Sequence, residues 1–159
     1  MPFGYNGRIL RVNLSSNTIE IEEPPESFYR EYMGGSALNL HYLLKEMPRG
    51  IDPFDAENII GFSSCVATGA AFSGQSRVTV SAKSPLTEAI GDSQAGGFWP
   101  ARLKFSGFDA IIVKGCASSP VYLWVHDGQA EIRDAQQLWG MTTGDSQKAI
   151  IDELGDKKI

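Results

Sequence analysis

The chain has 159 residues, of which 42% are hydrophobic, 10% aromatic and 21% charged, a globular composition with apolar material for one sizeable core and one domain. That mixture excludes a disordered chain, and 17 glycines with no three-residue period exclude a collagen-like one. Lys+Arg 14 against Asp+Glu 19 leaves a net charge of −5, the wrong sign for a protein that grips nucleic acid by bulk charge.

The opening Met1-Pro2-Phe3-Gly4-Tyr5-Asn6-Gly7 lacks the apolar stretch of a signal peptide. No later run approaches the ~20 apolar residues of a membrane helix, so a cytoplasmic protein without a membrane partner is expected. Arg8 to Leu14 and Thr18 to Glu22 flank Ser15-Ser16-Asn17 as an opening β-hairpin, the second run alternating apolar with acidic residues. Pro24-Pro25 ends the pairing, since proline has no amide hydrogen to donate, and Glu26 to Tyr32 reads as a short helix. Gly34-Gly35 interrupts it. Ser36 is expected to cap a second helix whose apolar face carries Leu40, Leu43, Leu44 and Met47, before Pro48-Arg49-Gly50 stops it.

Ile59 to Phe62 makes a short apolar strand, followed by a run of small residues from Ser63 to Ser76 that has little to bury. Strand alternation resumes at Arg77 to Lys83, and Ser84-Pro85-Leu86-Thr87 turns the chain toward Ile90. After Gly96-Gly97, Pro100 suits the first turn of a helix through Phe105, which Gly107 closes. Asp109 to Lys114 is an apolar strand. Val121 to His126 pairs with Gln129 to Arg133 across Asp127-Gly128, the clearest hairpin signal in the chain. Thr142 or Thr143 caps a last helix through Leu154, with Gly155 at its C-terminal exit. Gly155 to Ile159 reads as a helix exit leading into a further strand, so the domain is expected to be incomplete at its C-terminus. Helices inserted between strand pairs predict an α+β fold of mixed β-sheets, and strand pairs followed by helices in both halves suit an internal duplication.

Two segments could hold a ligand. At Gly74-Gln75-Ser76-Arg77, missing side chains would let a ligand approach the backbone while Arg77 supplies a fork of donors; the alternative is a flexible surface loop. In Asp92-Ser93-Gln94-Ala95-Gly96-Gly97, glycine amides at a helix start could face an anion while Gln94 donates and accepts; the alternative is a tight strand-to-helix turn. Neither a P-loop nor a dinucleotide fingerprint is present, which leaves a general nucleotide-binding domain the weakest reading. Cys65 and Cys116 have no metal-ligand spacing and read as buried small hydrophobes, and His41 and His126 do not complete a metal site. The acidic residues, Asp92, Asp109, Glu20, Glu22 and Glu23 among them, read mostly as solvated, and no catalytic residue is assigned.

The motifs fall in a specific order: Gly7-Arg8-Ile9-Leu10-Arg11-Val12-Asn13-Leu14, then Gly34-Gly35 before Leu43-Leu44-Lys45-Glu46, then Asp52-Pro53 and Thr68-Gly69. Arg77 leads into a strand, Lys83 to Thr87 reads Lys-Ser-Pro-Leu-Thr, and Gly96-Gly97-Phe98 precedes Leu103 to Asp109, Ile132 to Ala135 and Trp139-Gly140. In this order the chain resembles the N-terminal domain of the tungsten-containing aldehyde:ferredoxin oxidoreductase family over essentially residues 1–159.

The resemblance implies a mixed α+β unit of two related halves on which a tungsten bis-pterin lies, with molybdenum in some relatives. It implies a parent enzyme that oxidises aldehydes to carboxylates and passes electrons through a [4Fe-4S] cluster to ferredoxin or another acceptor. Other relatives reduce aromatic-ring thioesters. By position, Arg77 should reach a pterin or its phosphate, Gly96 should offer backbone contact, and Gln94 stands where the family usually has asparagine, one methylene shorter. The second pterin-binding segment and the cluster cysteines are expected beyond Ile159, in the remaining domains of the parent polypeptide, which is also where a homo-oligomer would be decided. On this reading the chain alone holds no cluster and turns over no aldehyde; the competing reading is a stand-alone remnant or assembly module that kept the fold.

Overall fold

The computed structural model describes residues 4–156. β1 (Ile9–Asn13) and β2 (Thr18–Glu22) form the expected hairpin, and Asn13 Oδ1 fixes its turn by accepting from the amides of Ser15 and Ser16. Pro25 precedes α1 (Glu26–Tyr32), which exits through Met33 in the left-handed region. Gly34, at φ +102°, then makes an isolated bridge to Cys65. A Cβ at Gly34 would lie 2.2 Å from the Ser64 carbonyl oxygen, so this crossing admits only glycine.

The second helix, α2 (Gly35–Glu46), begins one residue before the expected cap: Gly34 is the N-cap and Ser36 lies inside the first turn. Its inward face is Leu38, Asn39, Tyr42 and Leu43, with Met47 packed beside them, while Leu44 is exposed. The expected face was thus rotated, because the chosen leucines ignored Asn39. That residue is fully buried and gives its amide nitrogen to the Gly61 and Thr79 carbonyls and the Ser81 hydroxyl, at 3.0 to 3.1 Å. These bonds fasten α2 to the sheet and offset the burial of the amide nitrogen, while Asn39 Oδ1 is buried with no hydrogen-bond partner among the described residues.

β3 (Ile60–Ser64) and β4 (Val78–Lys83) follow, antiparallel to each other. The expected turn after Lys83 leads into β5 (Ile90–Ala95), a strand along its whole length against β4, where the sequence suggested only a turn ahead of the helix. α3 (Trp99–Phe105) carries Pro100 in its first turn, as expected, and β6 (Ala110–Lys114) runs parallel to β1 and antiparallel to β3. The main sheet is six-stranded, in the order β2-β1-β6-β3-β4-β5. A separate two-stranded sheet holds β7 (Val121–His126) and β8 (Gln129–Asp134), joined through Asp127 and Gly128, both at positive φ. A short 3-10 turn (Gln136–Leu138) precedes α4 (Thr143–Leu154), whose Thr142 cap accepts from the Asp145 amide and which ends on left-handed Gly155. Lys157 to Ile159, where a further strand was expected to begin, lie outside the described residues.

β6 is buried on both faces, which explains its unbroken apolar run. Ala110 and Ile112 join Ile9, Tyr29, Leu38, Tyr42, Leu43 and Ile59 under α1 and α2. Ile111 joins Leu10, Val12, Leu103 and Phe108 on the other face, covered by Leu123, Val125, Ala130 and Ile132 of the β7-β8 sheet. Each large aliphatic chain buried this way contributes about 1.5 to 3 kcal/mol. The fold is therefore α+β with mixed sheets and inserted helices. Among the described residues no helix is long and apolar enough to cross a membrane.

Candidate functional site

β4 and β5 pair so that Val78 faces Ala95 and Thr79 faces Gln94. Arg77 and Gly96 are the residues just beyond the last pair. All three candidate residues therefore meet at one end of one strand pair, at the open edge of the main sheet. Arg77, Gln94 and Gly96 are exposed. A Cβ added at Gly96 would lie 3.6 Å from an Arg77 guanidinium nitrogen and 3.4 Å from the Ser76 carbonyl, so a side chain there would occupy the space beside the guanidinium. No hydrogen bond or ion pair to another described residue occupies the Arg77 guanidinium, in contrast to Arg11, which pairs with Glu22 and Glu46 and lies over the Tyr42 ring.

The small-residue run, expected to have little to bury, is tied down, which counts against the alternative of a flexible surface loop. Ser63 and Ser64 belong to β3 and are buried, as is Thr68. The Thr68 hydroxyl accepts from the Cys65 amide and donates to the Arg77 carbonyl, each at 3.2 Å. The Gly69 amide donates to Gln75 Oε1 at 2.6 Å, and the Ser76 hydroxyl donates to the Gly97 carbonyl at 2.5 Å. Residues 65–77 thus close on themselves and fasten to the Gly96-Gly97 turn. Phe105 lies against Gly69, and Phe72, Phe98, Trp99 and Phe105 leave large apolar areas exposed on these segments.

Beneath the loop is an ion pair that the sequence reading missed. Lys104 and Asp109 are both 2% exposed, with Lys104 Nζ 2.6 Å from Asp109 Oδ1. Asp109, expected to be solvated, instead accepts from the amides of Asn6 and Gly7 at 2.9 and 2.8 Å. Lys104 also donates to the Cys65 carbonyl at 3.3 Å. A helical wheel carries the signal: Lys104 follows buried Pro100 by four residues and shares its inward face.

The cysteines are not buried hydrophobes either; Cys65 is half-buried and Cys116 exposed, both free. Burial acts to raise the Cys65 thiol, but hydrogen bonds to Thr68 and to the Ala67 and Thr68 backbone, with the charge of Lys104, outweigh it and hold the thiol below its ordinary value. His41 packs among Phe28, Tyr32 and Tyr42, and His126 stacks on Trp124. Among the described residues, no three His, Cys, Asp or Glu side chains converge as a metal-binding group.

The donor set is suited to a polar, anionic heterocycle: a planar cationic fork, a side-chain amide able to donate and accept, and a backbone with no side chain in the way. These residues fit a pterin with a phosphate.

Residues 9–159 match the family described as aldehyde ferredoxin oxidoreductase, N-terminal domain. The chain is 44% identical over 157 residues to the tungsten-containing aldehyde ferredoxin oxidoreductase of Pyrococcus abyssi, and 43% identical to that of Pyrococcus horikoshii. Each alignment covers 99% of this chain and 26% of the relative, so the chain spans about a quarter of their length. The structure superposes with a TM-score of 0.94 and 32% identity on the active-site complex BamBC of benzoyl coenzyme A reductase in complex with 1,5-dienoyl-CoA, covering 99% of this chain and 24% of that one.

Proposed function

Because this chain belongs to the aldehyde ferredoxin oxidoreductase family through its N-terminal domain, we propose that it forms one face of a tungstopterin site, with Arg77, Gln94 and Gly96 as its contacts. When bound, the metal-pterin group supplies the redox chemistry, with tungsten or, as in some relatives, molybdenum. The residues of this chain bind and orient it. Arg77 gives charge-assisted hydrogen bonds to the pterin or its phosphate, Gln94 reads the polar edge of the ring, and Gly96 lets the group approach the backbone.

The proposal extends to the parent protein: an oxidoreductase that converts aldehydes to carboxylates, with electrons passing through a [4Fe-4S] cluster to ferredoxin or another acceptor. In this reading the second pterin contacts and the cluster ligands belong to further domains of a longer polypeptide, a length that the relatives support. A reducing, cytoplasmic setting accords with two unpaired cysteines.

The observation that carries the reading is the meeting of the two candidate segments, one with Arg77 and the other with Gln94 and Gly96, at one strand end, around a guanidinium unoccupied by other described residues. The aromatic rings left exposed beside it support a surface covered in the whole protein. The test is Arg77→Ala in the native polypeptide, followed by pterin and tungsten analysis. Bound pterin should fall at least about tenfold, the loss expected for a charge-assisted bond of about 1.5 to 3 kcal/mol. Unchanged pterin and tungsten content would overturn the role.

A further inference from the structure

We propose that Thr68 is the positioning residue of this site, its hydroxyl setting where Arg77 stands; the proposal rests on the cofactor-face reading above. Arg77 precedes the first residue of β4, and the β4-β5 pairs begin one residue later, at Val78. The Arg77 carbonyl is instead held by the Thr68 hydroxyl, at 3.2 Å. The same hydroxyl accepts from the Cys65 amide at 3.2 Å and lies 3.4 Å from Cys65 Sγ, a contact in which either atom can donate. One side chain, 2% exposed, therefore joins both ends of the 65–77 loop.

The Cys65 end of this joint is tied to the interior. Lys104, paired with Asp109 below the loop, holds the Cys65 carbonyl, to which the Thr68 amide also donates at 3.0 Å. The geometry runs from a buried charge pair, through Cys65 and Thr68, to the backbone of Arg77. Gln75 and Ser76 add lateral ties to Gly69 and Gly97, but Gln75 is only half-buried and Ser76 Oγ bonds at the surface. Water can replace either at small cost. The Thr68 side chain is itself 2% exposed, and losing its hydroxyl takes the partner from the Arg77 carbonyl and the Cys65 amide together. A site that must hold a charged fork in place needs its support to be packed and hydrogen-bonded, which is the arrangement Thr68 provides.

The test uses the native polypeptide with Thr68→Val, which keeps the shape and removes the hydroxyl, and Thr68→Ser, which keeps it. Amide exchange across residues 69–77 reads the loop directly, and pterin per polypeptide reads the site. Thr68→Val should speed exchange in that segment about tenfold while strand β6 keeps its protection, and bound pterin should fall; Thr68→Ser should restore both. Thr68→Ala serves as a second variant should Thr68→Val not fold, and it should loosen the same segment. Wild-type exchange rates in whichever of the two folds, or pterin loss that Thr68→Ser does not rescue, would overturn the proposal. Should the loop loosen in Thr68→Val while neither it nor Arg77→Ala loses pterin, the cofactor-face reading fails and the positioning role in the site falls with it. Should Arg77→Ala lose pterin while Thr68→Val keeps it, the cofactor reading stands and only this proposal falls.

Discussion

Lys104 and Asp109 face each other 2.6 Å apart in the interior, five residues apart in sequence, with the start of the chain and the Cys65 loop hydrogen-bonded to them. Removing either partner strands a buried charge, a larger penalty than the net worth of the pair. Lys104→Met should therefore destabilise the protein by about 3 to 5 kcal/mol, measured by denaturant unfolding. The double variant Lys104→Met with Asp109→Leu should recover part of that loss; equal or greater destabilisation would show that the pair contributes more than charge neutralisation.

Gly34 and Gly35 are adjacent but should respond very differently to alanine. At Gly34 a Cβ would sit 2.2 Å from the Ser64 carbonyl oxygen, whereas at Gly35 the nearest atom is Thr79 Oγ1 at 3.4 Å. Gly35, at φ +63°, is in the left-handed region, where alanine carries a strain of about 1 to 2 kcal/mol, whereas Gly34, at φ +102° and ψ −172°, has a conformation essentially restricted to glycine. Gly34→Ala should add a backbone collision and cost at least about 3 kcal/mol, and thermal melting of the two variants side by side checks the difference.

Tyr29 and Tyr42 predict the alkaline limit of stability. Burial first, then the Asp109 carboxylate for Tyr29 and Glu22 for Tyr42, pushes both phenols well above their ordinary value. A raised folded-state value means that the folded form keeps its proton while the unfolded chain releases it. The associated stability is full below about pH 10 and is lost progressively above it. Tyr29→Phe should flatten the fall in unfolding free energy above that pH; an unchanged slope would contradict the assignment.

Gln94→Asn shortens the side chain to the one that the family resemblance leads one to expect at this position. Amide chemistry is kept, so bound pterin should stay within about 1 kcal/mol of the unaltered protein, whereas Gln94→Leu should lower it by more. Equal retention by both variants would remove Gln94 from the site.

Elements with strong local chemistry were legible in the sequence. Asp127-Gly128 takes positive φ at both positions, as the turn of a hairpin requires, and Thr142 and Gly155 cap α4 at both ends. β5 was not legible because Ile90-Gly91-Asp92-Ser93-Gln94-Ala95 contains few strand formers; its pairing with β4 makes it a strand. The rotated face of α2 and the buried Lys104–Asp109 pair escaped for a common reason. Polarity was read as exposure, while Asn39, Lys104 and Asp109 are buried with hydrogen-bond partners supplied by distant parts of the chain. Arg77, Gln94 and Gly96 could be chosen from motif order, but their meeting at one strand end depends on the register of β4 against β5.

The central claim is that this strand end carries the cofactor, and its most direct measurement is an experimental structure of the native polypeptide with its cofactor bound. The account predicts a pterin whose phosphate or ring edge lies within hydrogen-bond distance of the Arg77 guanidinium and the Gln94 amide, with its body against the Gly96 backbone. A pterin seated elsewhere, with Arg77 and Gln94 facing solvent or another domain, would contradict it.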